Sequence, residues 1–145
     1  MKIVAKTDQG KIRKDNQDSF AAGELPGGVV WAVVCDGMGG AAGGSVASQT
    51  AVKMISEKIA SGYQYGMSDK SIKNLLTSVV ESANSSIYEM SCSVESLNGM
   101  GTTVVVSVIR DKELYLVHAG DSRAYRVTKD SITQLTRDHS VVQDM

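Results

Sequence analysis

The stretch Val29-Val30-Trp31-Ala32-Val33-Val34-Cys35-Asp36-Gly37-Met38-Gly39-Gly40 governs how this chain is read. Residues 29–35 form a nearly continuous apolar run enriched in β-branched side chains, which then meets Asp36 and a cluster of glycines. The pattern predicts a buried central strand over 29–35 that ends in a glycine loop. Asp36 is then the first residue past the strand, with its carboxylate presented at a sheet end. Gly37, Gly39 and Gly40 let backbone carbonyls and amides come close to a ligand. Hard divalent cations such as Mg²⁺ or Mn²⁺ take oxygen donors of this kind. Taken alone, however, Asp-Gly after a strand reads first as a turn.

Downstream of the loop, Ala47, Ala51, Met54, Ile55 and Ile59 recur at three- and four-residue steps, so an amphipathic helix of roughly five turns is expected to end near Gly62. Ile72, Leu75, Leu76, Val79, Val80, Ala83, Ile87 and Met90 repeat the pattern, with Ser68 or Asp69 placed to cap that second helix. Gly99-Met100-Gly101 breaks the period. Residues 102–109, 113–119, 124–127 and 131–135 then read as strands of an antiparallel meander, joined by turns at 110–112 and 128–130. Upstream, 2–6 and 19–22 read as short strands flanking the polar segment 8–18, and 24–28 as a turn. Two consecutive helices between groups of strands are not the alternation of a doubly wound parallel sheet. Layered α+β is expected, with both helices on one side of the sheet.

The chain has 145 residues, of which 42% are hydrophobic and 21% charged, the composition of an ordinary globular protein, and 1–145 reads as one domain. Fifteen basic and sixteen acidic side chains leave a net charge of -1, so no global field draws nucleic acid or an anionic membrane surface. Cys35 and Cys92 lack metal-ligand spacing and read as reduced, buried thiols. The N-terminus carries no apolar core of signal-peptide length, and no run approaches the ~20 residues of a membrane span. A cytoplasmic protein is expected.

Two further segments carry candidate chemistry. In Arg13-Lys14-Asp15-Asn16-Gln17-Asp18, a guanidinium able to grip a phosphate bidentately stands five residues ahead of a carboxylate, although the segment also reads as a solvated charged loop. In Ala119-Gly120-Asp121-Ser122-Arg123, a strand ends in a small-residue turn bearing another carboxylate, or in a hairpin with a surface Asp-Arg pair. His118 and His139 read as structural imidazoles, and Met54, Met90, Met100, Trp31 and Tyr125 as packing residues.

Residues 13–18, the block Val34-Cys35-Asp36-Gly37-Met38-Gly39-Gly40, the Gly101-Thr102-Thr103 turn, Ala119-Gly120-Asp121-Ser122-Arg123-Ala124-Tyr125 and Leu135-Thr136-Arg137-Asp138-His139-Ser140 together resemble, in order, the signatures of the bacterial-type metal-dependent Ser/Thr protein phosphatases of type 2C (the PPM family). The resemblance runs from Gly10 onward. It implies a layered sandwich of antiparallel sheets flanked by helices, incomplete at the C-terminus because the family's last two metal-binding aspartates would follow Met145. It implies hydrolysis of phosphoserine and phosphothreonine in proteins by a metal-activated water, with two Mn²⁺ or Mg²⁺ ions and a weaker third. Asp36 would bridge the two ions, with the Gly37 carbonyl on the second. Arg13 would bind the substrate phosphate, Asp18 would hydrogen-bond a metal-bound water, and Asp121 would support the third ion. Gln17 stands where animal members often carry a glutamate ligand, and Met38 where they carry a histidine proposed as general acid. Partners implied are phosphorylated proteins, substrates of a cognate Ser/Thr kinase. A chain lacking the last strands would expose sheet edges open to dimerisation, and an inactive phospho-protein binding module is the alternative reading.

Overall fold

A computed structural model describes residues 1–139. Strand β1 (Asp18–Leu25) and strand β2 (Val29–Met38) form a hairpin, followed by helix α1 (Gly40–Gly62), helix α2 (Asp69–Ser93) and a 3-10 turn (Glu95–Leu97). Strands β3 (Gly101–Thr102), β4 (Val104–Arg110), β5 (Glu113–Ala119), β6 (Tyr125–Val127) and β7 (Ile132–Gln134) complete the described chain. The main sheet has the order β1-β2-β4-β5, with β3 paired to the far end of β2, while β6 and β7 form a separate ribbon. Every described strand pair is antiparallel, as expected for the layered α+β class.

Strand periodicity divides the sheet into two faces. Trp31, Val33 and Cys35 of β2 and Val104, Val106 and Val108 of β4 point to the helices, where they meet Ala47, Ala51, Ile55 and Ile59 of α1 and Ile72, Leu76, Val79 and Ala83 of α2. Both helices cover this one face. On the other face the register rows Phe20-Val34-Val105 and Val30-Ile109-Leu114 carry apolar side chains, with Phe20, Val34 and Leu114 exposed. Ser68 caps α2, its Oγ accepting from the Ser71 amide at 3.1 Å, and Asp69 takes the first helical position instead.

Four expectations need correction. Residues 2–6 are not a strand. They run irregularly beside β1 and β2, and Ile3 to Lys6 line, with Phe20, Ala22 and Val34, a cavity of about 390 Å³; among the described residues no strand offers them a ladder, and without one a strand's amides go unpaired. Strand β2 does not stop at Cys35 but continues through Asp36 to Met38, because Gly37 and Met38 pair with Thr102 and Gly101 while the Gly37 amide donates to the Gln17 carbonyl at 3.1 Å. The meander is interrupted twice, at Thr103 between β3 and β4, and after β5, where Gly120 at φ 102° turns the chain into the β6-β7 ribbon. Cys92 is exposed rather than buried. Ser140 of the last motif and Asp144 lie outside the described residues. No helix among the described residues is long and apolar enough to cross a membrane.

Candidate metal and phosphate site

The site begins with local hydrogen bonds that shape residues 7–18. The Gly10 amide donates to Asp8 Oδ1 at 2.7 Å, Gln9 Nε2 to the Arg13 carbonyl at 2.8 Å, Asn16 Nδ2 to Thr7 Oγ1 at 2.6 Å, and the Asp18 amide to Asn16 Oδ1 at 3.0 Å. Short polar side chains that bond to nearby backbone favour such turns over helix or sheet. The segment is exposed, as its charge dictates.

Gln17 ties this loop to the glycine block. Its carbonyl accepts from the Gly37 amide and from Ser48 Oγ at 2.7 Å, and its Nε2 donates to the Gly40 carbonyl at 3.0 Å. Ser48, on α1, is fully buried. The first turn of α1 lies directly on the end of β2. A Cβ at Gly37 would stand 1.9 Å from the Gly44 carbonyl oxygen, and one at Gly44 2.3 Å from Gln17 Oε1. Only glycine permits that approach, and it sets the Gly37 backbone beside Asp36.

Asp18 and Asp36 are register partners across β1 and β2. Arg13, Gln17, Asp18, Asp36 and Gly37 line a single cleft of about 220 Å³, together with Asp8, Asp15 and Asn16. On the other side of the glycine block, Arg13 and Lys14 border a wider depression of about 590 Å³ with Gly37, Met38 and Gly40. The Asp36 carboxyl is held above the usual carboxylate range. Loss of water on partial burial is the largest cause, followed by the charge of Asp18, a hydrogen bond between the two carboxyls and the charge of Asp121; Arg13 acts in the opposite direction. Asp121 does not line the cleft, but its charge reaches Asp36 from the loop after β5.

Oxygen donors that repel one another suit a hard cation, which would relieve that repulsion. The residues therefore fit a divalent ion in the kind of donor they offer. In number they are fewer, since no group of three or more His, Cys, Asp or Glu side chains among the described residues could hold one ion. Met38 is exposed and brings no titratable group to the glycine loop.

A family model described as protein phosphatase 2C matches residues 11–141. The chain belongs to the protein phosphatase 2C family. The serine/threonine phosphatase stp of Listeria innocua is 34% identical over 140 residues, which cover 97% of this chain and 55% of that protein. Among solved structures, the S. agalactiae serine/threonine phosphatase superposes with a TM-score of 0.87 at 32% identity over 96% of this chain and 56% of its own. The catalytic domain of the serine threonine protein phosphatase PstP, in complex with 2 manganese ions, does so with a TM-score of 0.80 at 33% identity over 96% and 56% of the respective chains. This chain thus spans about half the length of these phosphatase 2C relatives.

Several residues of the site carried no signal in the sequence. Asp8 belonged to a segment recognisable only as polar and charged, Asp15 lay inside the 13–18 motif without an assigned role, and Ser48 is one serine in a helix. Thr103 and Ser122 lay inside quoted motifs without an assigned role. His118 donates from Nε2 to the Arg137 carbonyl at 2.9 Å and stacks on His139 with ring centroids 4.7 Å apart, so both imidazoles have structural partners. Arg123 pairs with Asp138 rather than Asp121, its Nη2 lying 2.6 Å from Asp138 Oδ2.

Proposed function

We propose that the protein of which this chain is part hydrolyses phosphoserine and phosphothreonine in proteins with the help of Mn²⁺ or Mg²⁺. The observation that carries this reading is the cleft in which the register pair Asp18 and Asp36 faces Arg13 beside the Gly37 backbone. Asp36 and the Gly37 carbonyl would hold the two ions, with Asp121 serving a third. Bound cations would neutralise phosphate oxygens and lower the pKa of a water toward neutrality.

The remaining work falls to the chain's own groups. Arg13 binds the phosphate through charge-assisted hydrogen bonds and orients it over the cleft. Asp18, acceptor-only when ionised, takes a hydrogen bond from water and fixes its direction. Gln17 holds the glycine block in place through Gly37 and Gly40. The substrates would be proteins phosphorylated by a cognate Ser/Thr kinase, and a cytoplasmic location fits that role.

The small number of donor side chains among the described residues favours a second reading for this chain by itself, namely phosphoprotein binding through Arg13 without turnover. One experiment separates the two. Phosphothreonine peptide hydrolysis is measured with Mn²⁺ and with excess EDTA, on this chain and on a version extended by the C-terminal part of the Listeria innocua relative, each with its Asp36→Asn variant. Metal-dependent turnover in the extended protein, abolished in Asp36→Asn, is expected. Full activity in EDTA would overturn the proposal, and peptide binding without hydrolysis in every form would establish the second reading.

A further inference from the structure

Thr103 interrupts the ladder between β3 and β4, and its side chain is engaged on every side. It is only 4% exposed, one of few buried polar residues. Its Oγ1 accepts from the Asp36 amide at 2.9 Å and shares a 2.5 Å hydrogen bond with Ser122 Oγ, while its own amide donates to the Asp36 carbonyl at 2.9 Å. Its methyl faces Gly120, where a Cβ would stand 2.7 Å from Thr103 Cγ2 and where φ is +102°.

The topology gives these contacts a purpose. Asp36 is on β2 and Asp121 follows β5, and β4 lies between those two strands in the sheet. No ladder hydrogen bond can therefore join the two carboxylate-bearing backbones. Among the described residues, Thr103 is the one whose side chain is hydrogen-bonded to both segments, at Asp36 and at Ser122. A hydroxyl supplies one donor and two lone pairs, which is enough for both bonds at once. Valine would match the shape but leave the Asp36 amide without its acceptor, and serine would keep the hydroxyl but lose the methyl that rests on Gly120.

We propose that Thr103 is a positioning residue that holds the Asp36 strand end and the Asp121 loop at a fixed separation, its hydroxyl bridging the two and its methyl seating Gly120. This rests on the reading of Asp36 as the residue that holds the cation. Polar groups behind a metal-holding residue fix its orientation, and their removal typically weakens metal affinity about 10- to 100-fold.

The test uses the 145-residue chain and its Thr103→Val, Thr103→Ser and Ser122→Ala variants. Amide hydrogen exchange is followed without metal. Thr103→Val should selectively lose protection at Asp36 and in residues 120–123, while Val33 and Val106 in the core keep theirs; Thr103→Ser should retain protection at Asp36. A uniform loss across the chain, or no change at Asp36, overturns the proposal. Titration with Mn²⁺ alone should then show about tenfold weaker binding in Thr103→Val, with Thr103→Val/Ser122→Ala no weaker than the worse single variant. Unchanged Mn²⁺ affinity in Thr103→Val, where the unsubstituted chain binds, also overturns it. If the unsubstituted chain binds no Mn²⁺, the functional reading fails for this chain, and the exchange measurement still decides whether Thr103 couples the two segments.

Discussion

Two glycines, Gly37 of β2 and Gly44 of α1, meet where the first turns of the helix lie on the end of the strand, and a Cβ at either would collide with a neighbour. The Gly37 position lies against a backbone carbonyl, which cannot swing aside, whereas the atom nearest a Cβ at Gly44 is the tip of the Gln17 side chain at 2.3 Å, which can, with the Met38 backbone nitrogen farther off at 2.9 Å. Gly37→Ala is therefore expected to destabilise by about 3 kcal/mol or more and Gly44→Ala by about 1–3 kcal/mol, measured by urea denaturation. Equal costs would show that the contact between α1 and β2 yields as a whole. Cys35, one position before Asp36, is fully buried, and burial pushes its thiol up to about 11, slightly offset by a hydrogen bond with Thr102. Only Cys92 is exposed, so a thiol reagent at pH 8 should titrate one equivalent in the native chain and two after denaturation. Arg13 acts, in the proposed function, chiefly by binding. Arg13→Ala in the active protein should raise KM about tenfold or more, as loss of a hydrogen bond to a charged group implies, with a smaller fall in kcat; an unchanged KM with a collapsed kcat would reassign it to the chemical step.

At the level of elements, the start of α2 is fastened to the β4-β5 hairpin by a cluster the sequence did not announce. Arg110 reaches Asp69 at 2.7 Å and also donates to the Met67 carbonyl, and the Tyr115 hydroxyl donates to Asp69. The Tyr115 bond, more than Arg110, draws the Asp69 carboxyl below the usual carboxylate range, and the same bond, with loss of water, raises the Tyr115 phenol to about 12. A lowered carboxyl contributes stability above its unfolded pKa, and that contribution disappears as pH falls through the lowered folded value. The raised phenol contributes below its unfolded pKa and loses this as pH rises through about 12. Asp69→Asn should thus melt below the parent at pH 7, with the gap shrinking toward pH 2. A gap independent of pH would locate the effect in helix propensity instead. The Asp69 side chain is well exposed, so the effect should be small.

Across the whole molecule, the cleft brings Arg13, Asp18, Asp36 and Gly37 together, yet the described residues offer few ligating side chains. The 145-residue chain is accordingly expected to bind Mn²⁺ weakly and to show no metal-dependent phosphatase turnover, as calorimetry and an assay on the same sample will read. Tight binding with robust turnover would mean that these few donors suffice. The helices, the apolar strand 29–35 and the three carboxylate positions were legible in the sequence because each rests on short-range signals: a 3.6-residue period, a β-branched run, a glycine beside Asp36 and Asp121, and an arginine five residues ahead of Asp18. The continuation of β2 through Asp36 to Met38 was not legible, since it depends on β3, more than sixty residues downstream in the chain, and on the Gln17 carbonyl. Nor was the failure of 2–6 to form a strand, because a strand exists only where a partner satisfies its amides. The same holds for the site. Residue types and their order were local information, but the facing of Asp18 and Asp36, the closeness of Asp121 and the bridge through Thr103 arise from strand register and from contacts distant in sequence, which only the folded sheet determines.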